Sequence, residues 1–198
     1  SVAVGYSTIA SGENSHAEGM YTTAEGESSH AEGWYATASG ESSHAEGANT
    51  TASGSCSHAE GGDAIASGVY SHAEGYFTVA NGDDSHTEGY CTIASSENQH
   101  AQGKYNIEDT TGTYAHIVGN GTAEDKRSNA HTLDWDGNGW YKGDLYVGGT
   151  SQDVGSKKLA TEVYVDTEIA ENKYTHPSAH PASIITTTDD KQFVSQSE

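Results

Sequence analysis

Ser15-His16-Ala17-Glu18-Gly19 decides the fold, because it returns. The same five residues recur at 29–33, 43–47, 57–61 and 71–75. Degenerate copies stand at Ser85-His86-Thr87-Glu88-Gly89 and Gln99-His100-Ala101-Gln102-Gly103. The histidines fall at 16, 30, 44, 58, 72, 86 and 100, a constant step of 14. Ser1-Val2-Ala3-Val4-Gly5 is a further copy in the same register, with Val2 and Val4 in the His and Glu places. A second column keeps the step through Ala10, Ala24, Ala38, Ala52, Ala66, Ala80 and Ala94. Two residues later come Gly12, Gly26, Gly40, Gly54, Gly68, Gly82 and then Ser96. One unit therefore reads S-H-A-E-G-x-x-x-x-A-x-G-x-x. Low-complexity sequence drifts in spacing, whereas a stack of structural repeats cannot.

Fourteen residues fit two short strands and two tight turns. Strands alternate faces with period two, so Ser15, Ala17 and Gly19 share one face and His16 and Glu18 the other. In the second strand Thr22, Ala24 and Gly26 face opposite to Thr23. A coil this small encloses little volume, so the Ala, Gly and Ser columns point inward and the His and Glu columns outward. β-Branched residues form another outward column: Ile9, Thr23, Thr37, Thr51, Ile65, Val79, Ile93 and Ile107. Turn aromatics form one more, with Tyr6, Trp34, Tyr35, Tyr76, Phe77, Tyr90 and Tyr105.

This reading explains an odd composition. Of 198 residues only 23 are Val, Ile, Leu or Phe, and the formal net charge is −21. Such figures ordinarily mark disorder, but a core built of alanine needs few large side chains. The charge excludes duplex nucleic acid, whose phosphates call for Lys and Arg, and anionic membrane surfaces. No apolar run approaches the roughly 20 residues that span a bilayer. Cys56 and Cys91 occupy different repeat positions, which argues against a designed pairing. The opening inside a repeat reads as a fragment or a processed product.

The unit resembles the 14-residue head repeat of YadA-type trimeric autotransporter adhesins, whose motif is S-V-A-I-G followed by A-x-G. Ser1-Val2-Ala3-Val4-Gly5 nearly reproduces it. The SHAEG form resembles repeats in tail-fibre and appendage proteins of phages and prophages. The resemblance covers about residues 1–118. It implies an all-β solenoid, a left-handed parallel β-roll of 14-residue coils assembled as a homotrimer.

Beyond Gly103 the spacing changes. Tyr114-Ala115-His116-Ile117-Val118-Gly119 reads as a closing coil two residues longer than the others, giving a β-roll over 1–118. Residues 119–150 read as a β-hairpin connector, with arms Ala130–Trp135 and Trp140–Val147 around Asp136-Gly137-Asn138-Gly139. The run 126–149 resembles a connector of phage fibre proteins. Residues 151–198 read as a short helix, with Leu159, Val163 and Ala170 on one face of 157–173, followed by an extended tail that holds Pro177 and Pro181.

The conspicuous chemistry is the paired columns His16/Glu18, His30/Glu32, His44/Glu46, His58/Glu60, His72/Glu74 and His86/Glu88, with His100 beyond. Like carboxylates one coil apart repel, and partly protonated histidines beside them would relieve this. A structural His–Glu ladder is the preferred reading. A solvated polar face comes next, and metal binding by the seven histidines third, so no metal is assigned. Asp134-x-Asp136-x-Asn138-Gly139 resembles the start of a calcium loop, but position twelve is Leu145 rather than Glu, so a hairpin turn is preferred. No catalytic residue and no cofactor is indicated, because repeated equal copies describe architecture rather than one active site.

The function expected is that of a structural and host-interaction segment of a trimeric phage or prophage tail fibre. It would belong to the virion, with a bacterial cell-surface glycan or protein as receptor. One alternative is a trimeric autotransporter-type adhesin head at the bacterial cell surface. Another is a fibre-borne depolymerase or self-cleaving appendage.

Overall fold

The computed structural model describes residues 1–143, 146–147 and 157–158. Two parallel ladders run through the repeats. The first joins the strands Val2–Tyr6, His16–Met20, His30–Trp34, His44–Ala48, His58–Gly62, His72–Tyr76, His86–Tyr90 and His100–Lys104. The second joins two-residue strands from Ile9–Ala10 to Ile93–Ala94. Register never slips: His30 lies opposite His44, Ala31 opposite Ala45, and Glu32 opposite Glu46. The chain is thus a β-solenoid of parallel 14-residue coils, as the spacing predicts.

The corners follow a seven-residue rule inside the 14-residue one. From Ser7 to Tyr105 every seventh residue has positive φ, between 43° and 61°, and none of them is glycine. Each such residue bends the chain between half-coils. The corner N–H also bonds back across one coil, as in Tyr21 N to Tyr6 O (2.9 Å) and Ser28 N to Glu13 O (2.7 Å). Left-handed backbone costs an L-residue about 1–2 kcal/mol. Corner aromatics offset part of it by stacking, with the Tyr21 and Tyr35 rings 4.7 Å apart.

The interior is a pile of small side chains. Ala17, Ala24, Ala31, Ala38, Ala45 and Ala52 are all fully buried. The serine that opens each unit closes a turn with its hydroxyl: Ser29 Oγ donates to Gly26 O and Ser43 Oγ to Gly40 O, both at 2.7 Å. Thr22 is buried and Thr23 half-exposed, as the alternation requires.

Gly19 departs from the expectation. It is exposed rather than inward with Ser15 and Ala17. Its φ of +114° breaks the strand's alternation. A Cβ there would lie 2.1 Å from the carbonyl oxygen of Gly33 in the next coil. Close approach of neighbouring coils, not interior space, requires this glycine.

The stack ends in a set of one-off contacts. Tyr114–Asn120 is the last parallel strand, with His100 opposite His116 after the two-residue lengthening. It runs past residue 118, so the expected boundary at 118/119 falls inside a strand. Asn129–Asp134 then pairs with it antiparallel, followed by Gly139–Tyr141, all in one eleven-stranded sheet. The interior here takes Ile117 opposite Ala101, and Ile117 is the largest fully buried side chain among the described residues. Asn106 replaces the missing next coil: its Oδ1 accepts from Ile93 N (2.7 Å) and its Nδ2 donates to Ile93 O (2.9 Å). The Asp109 carboxylate accepts from Thr111 N, Tyr114 N and Gln99 Nε2 at 2.8–3.2 Å. Arg127 donates to the carbonyls of Cys91 and Asn106.

The hairpin's second arm is shorter than expected. It ends at Tyr141, and the chain bends at Lys142-Gly143. The first compact unit is Ser1–Gly143. In the second, Tyr146–Val147 pairs antiparallel with Lys157–Lys158. The two lysines are therefore strand rather than the start of a helix; the proposed apolar face of Leu159, Val163 and Ala170 does not include them. The rest of 157–173 and the extended stretch with its prolines lie outside the described residues.

Candidate functional site

The alternation that buries Ser29 and Ala31 turns His30 and Glu32 out on the long-strand face. Exact parallel register then superposes each imidazole on the next. From His30 to His86 the ring centroids are 4.7–4.8 Å apart and the planes within 3–4° of parallel. His100 continues the stack at 7°. At the start of the imidazole column His16 is turned 70° to His30. The column then runs further than the seven repeat histidines. His116 follows His100 at 5.2 Å, His131 follows His116 at 5.7 Å, and Tyr141 closes on His131 at 4.5 Å. His116 was readable from the lengthened coil. His131 arrives on an antiparallel strand, and no spacing announces it.

The carboxylates form the companion column, and the pairing changes partner along it. His16, His30 and His44 each approach the Glu of their own coil, at 3.4, 3.8 and 3.7 Å. His72, His86 and His100 instead approach the Glu of the preceding coil, at 3.5–3.6 Å. His58 stands at the changeover and is in none of these pairs. A good N–H···O bond is about 2.9 Å. The expected ladder is thus one of proximity, and only His16–Glu18 meets hydrogen-bond geometry. The column ends at Gln102, whose side-chain amide lies 3.0 Å from His116 Nε2.

At five positions of the imidazole column the carboxylates do not lift the ring above its ordinary value. Burial, then the neighbouring ring, holds His44, His58 and His72 below the ordinary imidazole value, and the nearby glutamates raise them less. His100 and His116 are lowered for the same two reasons. Both causes favour the neutral form of these imidazoles. Burial works to raise Glu74, but its contacts with Glu60, His72 and His86 bring it below the usual range.

Asp134 is used up inside its own turn. Its Oδ1 accepts from Asp136 N (3.0 Å) and Asn138 N (2.8 Å), and its Oδ2 from Asn138 Nδ2 (2.9 Å). Those bonds, chiefly from Asn138, lower its pKa. The segment is a hairpin turn.

A roll of equivalent coils bearing an imidazole stack beside a carboxylate column is a β-solenoid repeat protein whose chemistry is distributed along its length. Residues 3–29, 31–55 and 59–85 match the family model described as YadA head domain repeat (2 copies), and these coils are YadA-like head repeats. No curated protein matches the chain significantly.

Proposed function

We propose that the chain is a head segment of a homotrimeric surface adhesin, non-enzymatic, binding through the repeated faces of its coils. The observation that carries this reading is the YadA-like repeat over three stretches of the roll. The surface agrees with it. Tyr6 is 63% exposed, Met20 44% and Trp34 52%, neighbours in one column on a chain otherwise rich in acid. An apolar stripe of that kind marks an interaction surface, and two further copies in register would cover it. Repetition supplies length, and three-fold assembly supplies stiffness and multivalent attachment.

A second reading, a phage or prophage tail fibre, is supported by the SHAEG form of the motif and by the connector-like run 126–149. The repeat match favours the adhesin. An antibody raised against the roll separates the two on intact producing cells and on particles shed from them. Label on the cell surface is expected. Label confined to tailed particles overturns the adhesin in favour of the fibre, and label on neither removes both.

A further inference from the structure

Three groups on the His/Glu face bring their ligand atoms within 4.8 Å of one another: His16/Glu18/His30, His44/Glu46/His58 and Glu60/His72/Glu74. We propose that these groups bind divalent transition-metal ions of the zinc class, one ion per group, each held within a single chain.

The donor set selects the ion. Imidazole nitrogen with carboxylate oxygen suits zinc and its neighbours. Calcium and magnesium want six or more oxygens, and each group offers at most two carboxylates. Distance supports this. The His–Glu separations of 3.5–3.8 Å at His30, His44 and His72 are long for hydrogen bonds, and His16–Glu18 at 3.4 Å is barely within reach of one. Two ligand atoms held at about 2.0–2.1 Å by a tetrahedral ion lie roughly 3.4 Å apart. The Nε2 atoms of His30, His44, His58 and His72 are shielded from solvent and have no hydrogen-bond partner. An unmatched polar atom in that position is costly, and a metal bond would satisfy its lone pair. The −21 charge of the chain draws cations to the surface.

Geometry also ranks the sites. Parallel rings 4.7 Å apart keep their nitrogens wider than a tetrahedral edge. One ring of the His44/His58 pair must turn, as His16 is already turned 70° from His30. The first site fills with least rearrangement. It lies two coils, about 9.6 Å, from the second, just beyond a Debye length at physiological salt. The second and third meet at the coil that carries both His58 and Glu60. They are one coil apart, ~4.8 Å, and the carboxylates of Glu46, Glu60 and Glu74 offset the repulsion between the two ions.

The test is calorimetric titration of the full chain with zinc chloride, with magnesium and calcium chloride as controls. Three zinc ions per chain and no response to the controls are expected. Zinc should also raise the melting temperature of the unaltered chain, because an ion bound only by the folded form stabilises it. His30→Gln should reduce the count to two, and Glu18→Gln, at the most exposed ligand, should do so without touching the stack. His100→Gln, outside the three groups, should leave three. Cobalt in place of zinc should give the intense visible bands of a four-coordinate ion. Absence of bound zinc, a count unchanged by both His30→Gln and Glu18→Gln, or one ion per three chains would each overturn the proposal. None of these results depends on whether the chain acts as an adhesin.

Discussion

The coil stack and the segment that closes it solve one problem in opposite ways. In the stack each unmet backbone group meets its counterpart in the next, equivalent coil: Thr23 N donates to Ala36 O, and Thr37 N to Thr50 O. At the end there is no next coil. Ile93 N must turn to the Asn106 side chain, and buried Gln99 and Asp109 hold one another and Tyr114. Repetition makes the stack cheap to encode and intolerant of any change in size. Closure depends on single residues, each irreplaceable in its own way.

The sharpest way to break this comparison is to add bulk inside the stack. Gly40→Ala would set a Cβ 2.0 Å from Gly54 O, and Ala38→Leu would overfill a fully buried place. Each should cost about 3 kcal/mol or more in denaturant unfolding. Ala10→Leu, where Ala10 is only partly covered, should cost less. Equal losses at Ala10 and Ala38 would remove the inward column. Closure comes next. Asp109→Ala strands the amides of Thr111 and Tyr114, for about 2–3 kcal/mol, and should raise hydrogen exchange at the last coils before the first.

A smaller effect is set by pH. The folded pKa values of His44, His58, His72, His100 and His116 are lowered, by burial and then by adjacent rings, despite Glu32, Glu46, Glu74 and Glu88 facing them. The unfolded chain therefore binds more protons below about pH 6.5. Their contribution is complete above that value and is lost as pH falls through it toward the folded pKa values. In metal-free buffer the melting temperature should drop from pH 7.5 to 5.5, and a rise would reverse the sign assigned to the stack. Smallest of all is Asn49→Ser, at an exposed corner where its one side-chain partner is Asp63. It should stay within about 0.5 kcal/mol of the parent.

What the sequence made legible follows the same division. The step of 14 gives the coil, the register and both outward columns, because a repeated constraint is written seven times over. Gly19 was misplaced because period two assumes ordinary strand backbone, which its φ of +114° is not. The corner at every seventh residue leaves no signature in the sequence, since Ser, Asn, Asp, Tyr, Cys and Phe share backbone shape there but no chemistry. His131 and Asp109 stood outside any period, and only the closed fold gives them partners. The columns themselves were plain in the sequence. The partner exchange at His58 was not, because it depends on distances of a few tenths of an ångström.

The proposed homotrimer rests on the outward columns of the roll, which three copies in register would cover. Light scattering on the purified full chain at micromolar concentration tests it most directly. Three copies of a 20.7 kDa chain predict a mass of about 62 kDa, held on dilution. A fully folded, stable species of 20.7 kDa would contradict the account.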